Sequence, residues 1–163
     1  MHHINLSHDL LESMKGKTKP KVIVESPLSS ATIEGLVRNK KFARACMRDC
    51  LSRGEAPYAS HLLYAQEGLL DDDVAEERAL GMYAGFVWAD HADYIVCYND
   101  LGISSGMAAG LKKHEDLGKH VEIRTLGYIP EVLPEEVDLE QKRREVAALL
   151  KNEEKEVELG LGM

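Results

Sequence analysis

Residues 94–126 read YIVCYNDLGISSGMAAGLKKHEDLGKHVEIRTL. The run Tyr94-Ile95-Val96-Cys97-Tyr98 is rich in β-branched and aromatic residues, and Asn99-Asp100-Leu101-Gly102 ends it, which predicts a strand and its turn. From Ser104 or Ser105 to Leu117 the pattern becomes helical, with a hydroxyl residue at the start and Gly118 at the stop. His120-Val121-Glu122-Ile123-Arg124-Thr125-Leu126 returns to a strand pattern. A strand, a helix and a second strand joined by short connections form the unit from which parallel sheets are built.

The same alternation extends upstream. Val22-Ile23-Val24 is a short buried-strand run that stops at Ser26-Pro27. Ala43, Cys46, Met47 and Cys50 recur at helical spacing and give way to Arg53-Gly54, a basic last turn and a glycine stop. Residues 55–59 form a weaker strand, and residues 60–73 read as a long loop. Asp73-Val74-Ala75-Glu76 resembles a capping box opening a helix that runs to about His91. The fold class predicted is α/β, a flavodoxin-like or Rossmann-like parallel sheet with helices on both faces. An extra C-terminal helix over residues 134–157 carries a thin apolar stripe of Val137, Val146, Leu149 and Leu150, and could pack on the domain or on a second subunit. The chain divides into a polar lead-in (1–20), the α/β domain (21–130) and the acidic helix (131–163).

At 163 residues, 44% hydrophobic and 29% charged, the composition is that of one globular domain. Twenty Lys and Arg against 28 Asp and Glu leave a net charge of −8. Residues 131–163 hold ten acids and five bases, so the tail supplies −5 of that total. An acidic chain without a basic stripe lacks the phosphate-neutralising footprint of a nucleic-acid binder. The longest nearly apolar run, residues 82–89, is too short for a bilayer, and residues 1–9 lack an export signal, so a cytoplasmic protein without membrane partners is expected. Three cysteines, Cys46, Cys50 and Cys97, fit buried small hydrophobes better than a disulfide framework. No metal-ligand spacing appears among Cys and His, and nothing calls for a cofactor.

In open α/β sheets ligands bind beyond the carboxyl ends of the strands, where strand order reverses. That directs attention to residues 25–32, 60–73, 99–106 and 126–130. Ser104-Ser105-Gly106 opens a helix with free N–H groups, two hydroxyls and a glycine that permits close approach, a seat for phosphate or carboxylate. The plainer reading is that one serine caps the helix. Glu25 follows a buried strand and precedes three hydroxyls. Either the strand has left the core by residue 25, or the carboxylate meets water, a partner or a ligand. His61 belongs at the same crevice, as a ligand contact or as a loop anchor. Asp71-Asp72-Asp73 suggests a cation only weakly and reads better as helix-capping charge.

Taken in order, Val24-Glu25-Ser26-Pro27-Leu28, Arg38-Asn39 with Phe42-Ala43-Arg44, Ala56-Pro57-Tyr58-Ala59-Ser60-His61-Leu62-Leu63-Tyr64, Ala92-Asp93-Tyr94-Ile95-Val96 and Gly102-Ile103-Ser104-Ser105-Gly106-Met107 resemble the nucleoside 2-deoxyribosyltransferase-like superfamily. The resemblance covers about residues 21–127 and is nearest to a branch of small bacterial and phage domains. It implies a flavodoxin-like domain acting on the N-glycosidic bond of nucleosides or deoxynucleoside monophosphates through a glutamate nucleophile. It further implies a phosphate contact at Ser104, ligand contacts around Ser26, Pro27, Asn39, His61, Ser105, Gly106 and Met107, and a homo-oligomer.

The departures from that pattern matter. The nucleophile position, four residues after Gly106, is Gly110. A tyrosine of the first strand is replaced by Ile23, and an expected aspartate falls near Gly85. Loss of a nucleophile costs several powers of ten in rate. Three readings follow: a nucleotide or nucleotide-sugar binding protein without the usual catalysis, an N-glycosidase whose catalytic carboxylate has moved to Glu25, or an interaction protein that works through the C-terminal helix.

Overall fold

A computed structural model describes residues 8–15 and 18–161; part of the polar lead-in lies outside them. The elements, in chain order, are α1 (His8–Met14), β1 (Lys21–Glu25), α2 (Ile33–Ser52), β2 (Ala56–Tyr58), α3 (Ser60–Tyr64), α4 (Ala75–Ala89), β3 (Tyr94–Tyr98), α5 (Ser105–Asp116), β4 (Val121–Arg124) and α6 (Pro134–Leu161). The four strands pair in parallel in the order β2-β1-β3-β4. The sheet grows outward in both directions from β1 and β3, so the reversal of strand order lies between them. The α/β class expected from the sequence is the class observed.

Alternation along β1 assigns each side chain a layer. Val22 and Val24 pack with Val96 and Tyr98 against Phe42, Cys46 and Cys50 of α2. Ile23 turns the other way and packs with Ile95 and Cys97 against Ala89 of α4 and Met107 and Leu111 of α5. All three cysteines are unpaired and buried, consistent with their use as small core residues.

Several boundaries differ from the sequence reading. α2 begins ten residues before the Ala43 periodicity, because the Thr32 side chain accepts from the Gly35 N–H and starts the helix there. It ends as expected, at Arg53 followed by Gly54 with φ 77°. Residues 60–64 of the predicted loop form α3. The Asp73 capping box does not form. α4 opens after Val74 with no side-chain cap, and Asp73 instead pairs with Arg144 at 2.8 Å. The helix over 134–157 continues to Leu161; Pro134 occupies its first turn, and Glu136 accepts from the Leu133 N–H at 2.9 Å. In the lead-in, residues 8–14 form a short helix with no buried residue.

One buried ion pair spans the sheet. Arg124 of β4 donates from Nη1 and Nη2 to the two oxygens of Glu55 at 2.8 and 2.7 Å, and the Tyr94 hydroxyl donates to the same carboxylate. Burial alone would raise the Glu55 carboxyl, but the Arg124 and Tyr94 hydrogen bonds outweigh it and hold the group below its usual range. Removing one member of such a pair leaves the other charge stranded, a cost of about 3–5 kcal/mol. Arg124→Ala is therefore expected to lower stability by about that amount in urea unfolding, while the joint Arg124→Met and Glu55→Met change costs far less.

Candidate functional site

A cavity of about 110 Å3 opens at the carboxyl ends of β1 and β3. The first segment after β1 supplies its floor, α3 one wall, α4 a second, and the start of α5 its rim. The two-residue alternation that turns Ile23 toward α4 and α5 sends Glu25 the same way. There Glu25 meets His114, whose Nε2 lies 3.0 Å from Oε1. A carboxylate can only accept, so His114 donates from Nε2. His114 is 1% exposed and packs edge-on against the Phe86 ring at a centroid distance of 5.3 Å. Its other nitrogen, Nδ1, is buried with no hydrogen-bond partner among the described residues. The charge of Glu25 reaches Cys97 as well. Burial foremost, with that charge second, pushes the Cys97 thiol up to about 11.

Ser26, just past the end of β1, shares a 2.8 Å hydrogen bond with His61 Nε2. His61 thus lines the cavity and anchors the loop at once. Burial holds its imidazole below the ordinary value of 6.5, with the Glu25 and Asp72 charges partly offsetting the effect.

At the rim, Ser104 is the N-cap of α5, and its Oγ accepts from the Met107 N–H at 3.2 Å. The capping reading therefore holds, and the hydroxyl hydrogen remains available to a ligand. The N–H groups of Ser105 and Gly106 lie in the first turn, where no carbonyl one turn back can accept them. Arg78 of α4 leans over this turn. Its Nη2 is 3.5 Å from where a Gly106 Cβ would sit, and Ser104 Oγ is 4.0 Å from the same point. The only ion pair of Arg78 among the described residues is a loose one, with Asp72 at 3.9 Å.

Of the predicted site residues, Glu25, Ser26, Pro27, His61, Ser104, Gly106 and Met107 line the cavity. Asn39 and Ser105 do not line it with their side chains. Asn39 is buried beneath the loop, where Nδ2 donates to the carbonyls of Leu28 and Ser29 at 2.9 and 3.2 Å. It holds residues 28–29 in place. Residues 126–130 contribute nothing to the lining; the Asp100 carboxylate accepts from the Leu126 and Gly127 N–H groups instead. The 71–73 acids act neither as caps nor as a cation site. Asp71 pairs with Lys151, Asp72 faces Arg78, and Asp73 holds Arg144.

Sequence reasoning missed His114, Arg78 and Phe86. His114 had a signal: it falls on the face of α5 shared by Met107, Gly110 and Leu111, all buried. The two glycines at departed positions behave differently. A Cβ on Gly110 would meet nothing within 4 Å, so the cavity is open there. A Cβ on Gly85 would lie 2.9 Å from Ser60 Cβ, so that position is closed to any side chain by the approach of α3.

The topology and the cavity at its switch point define an α/β protein of flavodoxin-like architecture. Residues 20–124 match the model of a domain of unknown function, DUF7768, and the chain belongs to that family. Among solved structures it is similar to a 2-deoxyribosyltransferase from the psychrotolerant bacterium Bacillus psychrosaccharolyticus, with 20% identity, 68% of this chain and 77% of that chain covered, and a TM-score of 0.47. No curated protein matches the sequence. Among the described residues no helix is long and apolar enough to cross a membrane, and no three His, Cys, Asp or Glu side chains are grouped to hold a metal.

The lowered imidazole of His61 sets a pH dependence. Below about 6.5 the unfolded chain binds a proton that the folded chain resists, so stability falls as pH drops through that window. Thermal unfolding between about pH 5 and pH 8 is expected to show this slope, and His61→Asn to flatten it.

Proposed function

We propose that the cavity binds a nucleotide or a phosphorylated nucleoside sugar, with the anionic group at the start of α5 and a ring against Glu25 and His114. The observation that carries this reading is the polarity of one cavity. Its rim gathers Arg78, the Ser104 hydroxyl and free helix N–H groups, while its floor presents a carboxylate held by a histidine. Helix N-termini and guanidinium groups suit phosphate oxygens, and a carboxylate with a histidine suits sugar hydroxyls or the N–H edge of a base. A volume of about 110 Å3 holds one ring, so the remainder of the ligand lies in the open mouth. The resemblance of the Ser104-Ser105-Gly106 and Glu25-Ser26-Pro27 segments to deoxyribosyltransferase-like proteins supports the same ligand class. In this reading residues 21–130 form the binding domain of a cytoplasmic protein whose partner is a small molecule, not a nucleic acid or a membrane.

Binding without the superfamily's usual turnover is the primary reading, because Gly110 has no side chain to attack a sugar. One observation favours a second reading. Glu25 lines the same cavity that Gly110 leaves open, and a carboxylate there could attack the anomeric carbon and expel the base as a glycosyl–Glu25 ester forms; water would then release the sugar.

Incubation with nucleosides, deoxynucleoside monophosphates and ADP-ribose, read by mass spectrometry for free base and by thermal shift on the same samples, separates the two. A monophosphate is expected to stabilise the protein and to be recovered intact. Arg78→Ala and Ser104→Ala are each expected to weaken binding about tenfold. Arg78→Ala leaves the helix cap in place and so reports on the anion alone. Release of base that Glu25→Gln abolishes would establish the second reading, and the absence of stabilisation by any phosphorylated compound would refute the first.

A further inference from the structure

α6 has two differently occupied faces. One is bound to the rest of the chain: Glu136 pairs with Lys41, Glu140 with Lys40 at 2.6 Å, Arg144 with Asp73, and Lys151 with Asp71. About 110° around the helix runs a second line: Leu139, Arg143, Val146, Leu150, Glu153 and Val157. All six are exposed, the apolar four by 50–61%. Neither Arg143 nor Glu153 forms an ion pair among the described residues. The steps along this line are 4, 3, 4, 3 and 4 residues, the spacing of a two-helix heptad seam.

The line is also symmetrical about residue 148. An identical helix laid antiparallel sets Leu139 against Val157, Arg143 against Glu153, and Val146 against Leu150, and then repeats these contacts in reverse. At the flanks Lys142 meets Glu156, and Leu149 meets its own copy beside the two-fold axis. A parallel pair in register would oppose Arg143 to Arg143 and Glu153 to Glu153, so charge selects the antiparallel arrangement.

From this complementarity we infer that α6 forms the interface of a two-fold homodimer in which Arg143 of each protomer is matched to Glu153 of the other. The contact closes on itself and stops at two chains. The seam lies about a third of a turn from the face that holds residues 71–73, so dimerisation and loop anchoring use different residues of one helix.

Sedimentation equilibrium over a concentration series tests this, with circular dichroism as the check on folding. The full chain is expected to be a dimer. Arg143→Glu and Glu153→Arg, both on the exposed face, are each expected to raise the dimer dissociation constant about tenfold or more. The combined swap is expected to restore it to within about threefold. Ten residues separate these positions, too far for contact within one helix, so rescue reports pairing between chains. A monomer at every concentration, a larger assembly, a dimer indifferent to the single swaps, or a combined swap that fails to restore association overturns the inference.

Discussion

A carboxylate at the end of the central strand, turned by alternation toward an apolar helical layer, is costly unless something donates to it. His114 donates to Glu25, and this contact fixes the rest of the site. It sets the rotation of α5 about its axis, because His114 must face the sheet beside Met107, Gly110 and Leu111. The same helix begins ten residues earlier, about 15 Å along its axis, with the Ser104 cap and the uncommitted N–H groups of its first turn. One helix therefore supplies both the partner of the floor carboxylate and the donors of the rim. The residue just after β1 adds a second contact, where Ser26 engages His61. Two adjacent residues at the carboxyl end of β1, its last residue and the next, thereby recruit histidines from two different helices.

One polar cluster away from the cavity is paired internally. Glu55, Arg124 and Tyr94 satisfy one another, and the Arg124 fork donates to Glu55, Glu122 and Cys50 Sγ. At the cavity, His114 Nδ1 lacks a partner, the first turn of α5 has donors to spare, and Arg78 is held only loosely. An unpartnered buried nitrogen beside spare helix donors and a loosely held guanidinium offers a polar ligand partners at both ends of the cavity. α6 also bears on this end of the molecule, since Arg144 and Lys151 grip Asp73 and Asp71 on either side of the cavity-lining Asp72.

Much of the fold was legible because its strands announce themselves. The run at 94–98, the glycine stops at 54 and 118 and the alternation of strand and helix were enough to predict the parallel sheet. The start of α2 was not, because Arg38, Asn39, Lys40 and Lys41 carry little apolar periodicity and the helix there is set by the Thr32 cap and by contacts with α6. α3 is five residues long and has no local signal; packing against α4 and the Ser26–His61 contact hold it. The site was legible where chemistry coincided with strand ends, at Glu25, His61 and Ser104. His114 sits in the polar run Lys112-Lys113-His114-Glu115-Asp116 and was hidden by its neighbours, although its helical phase places it inward. Asn39 matched a family pattern, but its work is structural, in holding the carbonyls of residues 28 and 29.

A single ligand that spans the rim and the floor of this cavity would report at both ends at once. Nitrogen NMR of the labelled protein during titration with a deoxynucleoside monophosphate tests it directly, by following the Gly106 backbone amide and the two ring nitrogens of His114 together. All three are expected to move with a single saturation curve, Nδ1 of His114 included. Shifts confined to surface residues, or a Gly106 response without any change at His114, would contradict it.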